Sequence, residues 1–481
     1  MSADARSGPA VATVGTVRKE PKVASSRARR GTVTALAVTG ALTLTGCLQN
    51  PEGDAGGTGG FGGQASPDPG DGVVTVLGAF GGGEEELFVE SLQEFEEESG
   101  IDVQYTSDQD FTTTVLLRVN SGDAPDIGLF PQPGGVMQMA ADGKVVPIDQ
   151  MLDYDAIEAT LVPGFLDSAR YQGRVYAAPM RMAVKSIVWY PKQAYEEGGW
   201  STEPASLEEL DEISEQIKSE TDAAPWCIGW ESAQATGWVG TDWIEEYMLR
   251  LHGPDVYDDW MYGRIPFDDP RVIEAFEAYK ELSTEEGNVL GGVTGIVSTP
   301  FADAMTPAFA EEPDCYLMRQ GNFATGFFPE DVQENLDEEV GIFVFPPAED
   351  GYDGQPILGG GDLAAAFSFD DDTVALMEFL TSDEFGGPWA EGGGWLSPHT
   401  SFDTSLYPDE TTRQIAEMAY TADVFRYDAS DVMPKEVGSD AFWKGMVEFQ
   451  DGTKTAEEVT AEMWQAWPED QKQVAGGSED E

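Results

Sequence analysis

The chain has 481 residues, enough for two or three domains and a sizeable core, and too many for a disulfide-stapled mini-scaffold. Its 89 Asp and Glu outweigh 26 Lys and Arg, a formal net charge of −63, yet 41% hydrophobic and 11% aromatic content mark a globular protein, not an acidic disordered tail. A field of that sign repels phosphate backbones and excludes nucleic acid as a partner, and with His252 and His399 as the whole histidine complement no paired-histidine zinc motif can be written.

Residues 1–30 carry Arg6, Arg18, Lys19, Lys22, Arg27, Arg29 and Arg30 and run into the uncharged, small-residue stretch Gly31–Thr45. That stretch is too short for a comfortable permanent membrane span, and it ends in Leu44-Thr45-Gly46-Cys47. The order of basic region, apolar region and terminal tetrapeptide resembles a bacterial lipoprotein signal peptide. The resemblance implies cleavage after residue 46, lipidation of Cys47 and anchoring to the outer face of the cytoplasmic membrane. Losing residues 1–46 removes more bases than acids, so the exported part is more acidic still. Residues 47–72, Gly-rich with Pro, Ser and Asp, read as a flexible tether with a span of roughly 25 Å. Two cysteines remain, Cys227 and Cys315, and an even pair in an exported chain predicts a disulfide.

In the body, Val73–Leu77 predicts a strand, Gly78–Gly83 a turn, and Phe88, Leu92 and Phe95 the buried face of a helix. The glycines do not fit a dinucleotide fingerprint, and Glu84-Glu85-Glu86 sit where an anion would have to meet the helix N-terminus, so the unit suits a neutral ligand. Strands follow at Asp126–Phe130 and Ser186–Tyr190. Ser206-Leu-Glu-Glu209 is a capping box for a helix burying Leu207, Leu210, Ile213 and Ile217, and Pro270 opens another with Val272, Ile273, Phe276 and Tyr279 inward. Further strands are expected at Gly341–Phe345 and Leu363–Phe367, helices at Thr373–Leu380 and Ala456–Trp467, and an acidic tail at 471–481. Strands alternating with helices predict an α/β fold.

Nucleophile-elbow, P-loop and C-x-x-C motifs are absent, and with so many acids a pair at glycosidase spacing carries no information. Aromatic placement carries more: Trp226, Trp230, Trp238, Trp243, Phe323, Trp395, Phe442 and Trp443 lie beside Gly or polar residues at predicted strand ends and loops. Sugars have apolar C–H faces and a hydroxyl rim, so their sites combine flat rings with carboxylates, amides or guanidinium groups.

Five segments in order, Asp126–Gly134, Pro179–Tyr190, Trp226–Glu231 with Gly237–Trp243, Gly359–Asp362, and Asp428–Pro434 with Ala441–Trp443, resemble the sugar-binding proteins of bacterial ABC importers, the maltose and α-glucoside cluster. The resemblance implies a two-lobe periplasmic-binding-protein-like fold with hinge strands and an interlobe ligand cleft. The lobes are expected at 73–182 plus 335–390 and at 183–334 plus 391–470. By position it implies Phe130 as a wall aromatic, Glu231 as a hydroxyl-binding carboxylate, and Phe323 and Trp443 as stacking rings. Gln132, Arg181, Lys185, Trp238 and Asp362 are added as polar or aromatic residues at predicted cleft edges. Pro133-Gly134 and Phe80-Gly81 stand where maltose binders carry charged pairs, which points away from maltose itself. The function so read is capture of a carbohydrate, without catalysis, cofactor or metal, by a monomer that delivers it to ABC transporter permease subunits. The reading from another class is a secreted carbohydrate-active hydrolase.

Overall fold

The computed structural model describes residues 66–108 and 110–473. The leader, Cys47, most of the tether and the end of the acidic tail therefore lie outside the described residues. Among the described residues no helix is long and apolar enough to cross a membrane.

The chain opens as read: β1 (Val73–Gly78), α1 (Gly83–Ser99), β2 (Asp102–Ser107), α2 (Phe111–Ser121), β3 (Ile127–Phe130) and α3 (Pro133–Ala141). β1 pairs in parallel with both β2 and β3, as connections through helices require. A short helix, α4 (Tyr154–Glu158), and a small ribbon of β4 (Arg170–Tyr171) and β5 (Arg174–Val175) lead into β6 (Ala178–Val184). Next come β7 (Ile187–Pro191), α5 (Lys192–Gly198), α6 (Leu207–Glu220), β8 (Ala224–Trp226), α7 (Trp238–Met261), α8 (Pro270–Thr284) and β9 (Cys315–Arg319). The Ser206 hydroxyl caps α6 by accepting from the Glu209 amide, and Leu210, Ile213 and Ile217 face inward as the spacing predicts. The last strands are β10 (Val340–Val344), β11 (Ile357–Ala366) and β12 (Phe425–Tyr427).

Two sheets result. The first runs β12-β11-β3-β1-β2, with β6 also pairing to β11; the second runs β10-β7-β9-β8. The close approach of β6 and β11 explains the Gly359–Gly361 run: a Cβ on Gly361, at φ +149°, would lie 2.0 Å from the Arg181 carbonyl oxygen. Strand pairing moves two stretches relative to the expected lobe boundaries. β10, expected in the first lobe, pairs antiparallel with β7 in the second sheet. β12, expected in the second lobe, pairs in parallel with β11 in the first sheet, and Leu396 bridges Met182. Isolated short strands carry no sheet label in sequence, because their apolar runs look alike whichever sheet buries them.

Cys227 and Cys315 form the expected disulfide, joining the end of β8 to the start of β9. Much of the aromatic set singled out in the sequence is core. Trp226, Trp230, Trp243, Trp395 and Phe442 are buried, with Trp243 5.4 Å from both Trp226 and Tyr279.

Candidate functional site

The chain passes between the sheets at three places, and charged side chains gather there. The first is Lys185-Ser186, between β6 and β7; the second is 345–356, between β10 and β11; the third leaves β12 at Asp428. The Lys185 amide donates to Leu358 O and the Leu358 amide donates to Ser186 Oγ, which sews the first two together. Lys185 Nζ donates to Asp242 Oδ1 at 3.0 Å and to Asp428 Oδ2 at 2.5 Å, joining first and third passages to α7.

α7 is buried around most of its circumference, and its charged residues face inward. Asp242, Glu245, Glu246 and Arg250 are all fully buried. Glu246 accepts from Ser186 Oγ and from Arg319 Nη2 at 2.9 Å, and lies 2.7 Å from Arg250. Glu245 Oε1 accepts from the Ser430 amide at 3.0 Å, whereas Glu245 Oε2 and Asp242 Oδ2 are buried without a donor. Burial works against charge on Lys185, but Asp242 and Asp428 overcome it and hold the ammonium well above its ordinary range. Burial likewise opposes ionisation of Asp428, and Lys185 holds that carboxyl well below its usual range. Burial pushes Asp242 up to about 7, and burial with the charges of Asp428 and Asp242 pushes Glu245 well up.

Beside this network stands an aromatic wall. Trp238, at the start of α7, lies 5.3 Å from Phe301 and 6.0 Å from Phe323, and the Lys185 ammonium sits 5.5 Å from its ring centre. Its indole N–H donates to Ser232 Oγ. Glu231 neighbours the wall through its backbone, which pairs with Thr299 and Phe301, while its carboxylate accepts from the Ala233 amide. Gly237 places Trp443 beside this turn: at φ +118°, a Cβ there would lie 2.1 Å from the Trp443 carbonyl oxygen. Trp443 is half-buried, and its indole N–H is buried without an acceptor.

On the first sheet, Arg181 and Asp362 are register partners across β6 and β11. The Arg181 guanidinium lies 3.0 Å from Glu84 and 3.7 Å from Asp362, beneath the rings of Phe80 and Trp389. Burial pushes Asp362 up to about 6, against the pull of Arg181. Gln132 stands at the N-terminal boundary of α3, where its side-chain carbonyl accepts from the Thr112 hydroxyl.

The sequence-derived residues thus fall into three groups. Trp238 and Phe323 come together on the second-sheet side, with the backbones of Glu231 and Trp443 beside them, while Gln132 stands at the start of α3. Arg181, Asp362 and Lys185 are engaged in buried or half-buried ion pairs. Phe130 is 2% exposed and packs edge-on against Phe111 at 4.9 Å, as β3 is central in its sheet and buries both faces.

Residues 81–386 match the family of bacterial extracellular solute-binding proteins. The chain belongs to this family. It is 41% identical over 400 residues to the osmoprotective compounds-binding protein GgtB of Synechocystis sp., covering 82% of this chain and 92% of that one. It is 33% identical over 402 residues to the alpha-glucosides-binding periplasmic protein AglE of Rhizobium meliloti, covering 82% and 87%. The solved bacterial solute receptor AcbH, described as having an exclusive preference for β-D-galactopyranose, superposes with a TM-score of 0.66 at 17% identity, over 83% of this chain and 96% of that one. That likeness shows the two-lobe α/β fold of periplasmic binding proteins. The family places the solute-binding protein outside the cytoplasm.

The sequence reading missed the residues that hold this solute-binding protein together at the passages: Asp242, Glu245, Glu246, Arg250 and Asp428. A signal was present, since Asp242, Glu245, Glu246 and Arg250 repeat at helical spacing on one stripe of an otherwise apolar segment. Phe301 was missed because its neighbour Trp238 lies far away in sequence.

Proposed function

We propose that this protein captures a neutral carbohydrate, of the α-glucoside or oligosaccharide kind, and delivers it to the permease subunits of an ABC importer while tethered through a lipid on Cys47. The observation that carries the reading is the half-buried wall of Trp238, Phe301 and Phe323, with the backbones of Glu231 and of the half-buried Trp443 beside it, built where the chain passes between its two sheets. Flat rings take the C–H face of a pyranose, and an ionised carboxylate accepts from its hydroxyls. The relatives that bind α-glucosides and osmoprotective compounds support the same ligand class. A solute touching groups from both sheets favours their closed arrangement and shifts the equilibrium by its difference in affinity for the two states.

The test is a thermal-shift and calorimetric screen with maltose, trehalose, sucrose and maltotriose, with recovery of the sugar afterwards. Saturable stabilisation, about 2.7 kcal/mol at 100 times the dissociation constant, with intact sugar recovered, is the expected result. Turnover of the sugar would identify a hydrolase instead. Mass spectrometry of the membrane-extracted protein should find an acylated N-terminal Cys47, and an unmodified mature chain would remove the anchor from this account.

A further inference from the structure

Lys185 does not by itself balance the buried carboxylates at the passages. Asp242 and Glu245 stand one helical turn apart on α7, and Asp428 follows β12, so stretches distant in sequence converge on one spot. One oxygen from each of the three lies within 4.8 Å of the other two, and all three side chains are buried. Glu246 is a neighbour already matched by Arg319 and Arg250. Three carboxylates against the single Lys185 ammonium leave two negative charges in the interior, which is unfavourable without a further positive charge.

The hydrogen bonds show where that charge belongs. Asp242 Oδ1 and Asp428 Oδ2 accept from Lys185, Glu245 Oε1 accepts from the Ser430 amide, and Asp428 Oδ1 accepts from Ser430 Oγ and the Asp431 amide. The far oxygens, Asp242 Oδ2 and Glu245 Oε2, are buried and meet no donor among the described residues. A carboxylate held through one oxygen by a protein donor, with the other oxygen left to a ligand, is how metal ligands are oriented by the groups behind them. A proton is the smaller occupant. Asp242 and Asp428 face each other at hydrogen-bonding range, and one proton shared there would still leave Glu245 Oε2 without a partner. A metal cation reaches all three carboxylates at once. The set offers oxygen alone, which suits a hard cation and not zinc or copper. Mg²⁺ gives up its water reluctantly, whereas Ca²⁺ accepts irregular all-oxygen cages, and its two charges match the two left over. We propose that Asp242, Glu245 and Asp428 bind one Ca²⁺ ion, which fastens α7 to the segment after β12. The site is independent of the sugar-capture reading.

Equilibrium dialysis against CaCl₂ and thermal unfolding, both in about 0.1 M KCl to screen the exposed acids, test the site on the full chain. The parent should bind about one Ca²⁺ per chain more than Glu245→Gln or Asp242→Asn, in which affinity at this site should fall by at least ~10-fold. Glu97→Gln, which removes an exposed acid of α1, should bind as the parent does. Saturating Ca²⁺ should raise the melting temperature of chelator-treated parent by at least ~2 °C and leave that of Glu245→Gln unchanged. Equal calcium on the parent and both variants, or equal stabilisation of all of them, would assign the ion to surface acids and overturn the proposal. So would a parent that ignores Ca²⁺ while Glu245→Gln is the more stable protein in chelator, since a proton then fills the cluster. Should the variants fail to fold, the parent alone decides: a melting temperature that Ca²⁺ does not move, or moves no more than Mg²⁺ does, overturns the assignment.

Discussion

Replacing Lys185 by Met tests the electrostatics of the passages most sharply. The substitution roughly keeps the volume of a side chain that is 7% exposed but removes the donor shared by Asp242 and Asp428. Asp242 is already pushed up to about 7, so the group that loses its support is Asp428, which Lys185 holds ionised. A carboxylate stranded in the interior takes up a proton, and the cost of doing so sets the penalty. From an ordinary carboxyl near 3.9, protonation at about pH 7 costs ~4 kcal/mol, and at about pH 5 only ~1.5 kcal/mol. The pH 7 figure agrees with the ~3–5 kcal/mol typical of breaking a buried ion pair. Urea unfolding followed by tryptophan fluorescence should show a loss of about 4 kcal/mol near pH 7 that shrinks by more than half near pH 5. A loss below about 1 kcal/mol at neutrality, or one of equal size at both pH values, would refute the reasoning, since either means the ammonium is not neutralising a buried charge.

Other outcomes follow from single contacts. Gly237→Ala forces a Cβ into the Trp443 carbonyl at a positive φ, and should cost at least ~1–3 kcal/mol of stability and weaken sugar binding by displacing Trp443; unchanged melting would show that the turn yields freely. Thiol labelling of the denatured, unreduced protein should find neither Cys227 nor Cys315, and cleaving their bond, which closes an 88-residue separation, should cost ~4–5 kcal/mol of loop entropy; full labelling would remove the bridge.

The sequence was most legible where structure is local. Helices with one apolar stripe and a cap, such as α6 and α8, start where expected, because Ser206 and Asp269 bind amides only a few residues away. In α7 the charged stripe showed the helical period but not its meaning: the helix is buried around most of its circumference, and its acids find counter-charges from Lys185 and Arg319, distant in sequence. The same holds for the site. Trp238 and Phe323 were chosen by residue type and do meet, but their type did not separate them from Trp226 or Trp230, which differ only in what packs over them. Lys185 looked like a ligand-facing cation, and its three-way tether through β12 and α7 could be seen only once the passages between the sheets were in place. Strand partners were equally hidden, as β10 and β12 show by exchanging sheets relative to expectation.

The central claim is that a sugar binds against the aromatic wall at these passages, and affinity measured by calorimetry on Trp238→Ala and Trp443→Ala tests it most directly. Truncating a stacking ring removes buried area and dispersion, so each variant should weaken binding by about 2–4 kcal/mol while keeping the fold, as judged by far-ultraviolet circular dichroism. Affinity unchanged in both variants, with the parent binding normally, would contradict the account and place the sugar elsewhere on the protein.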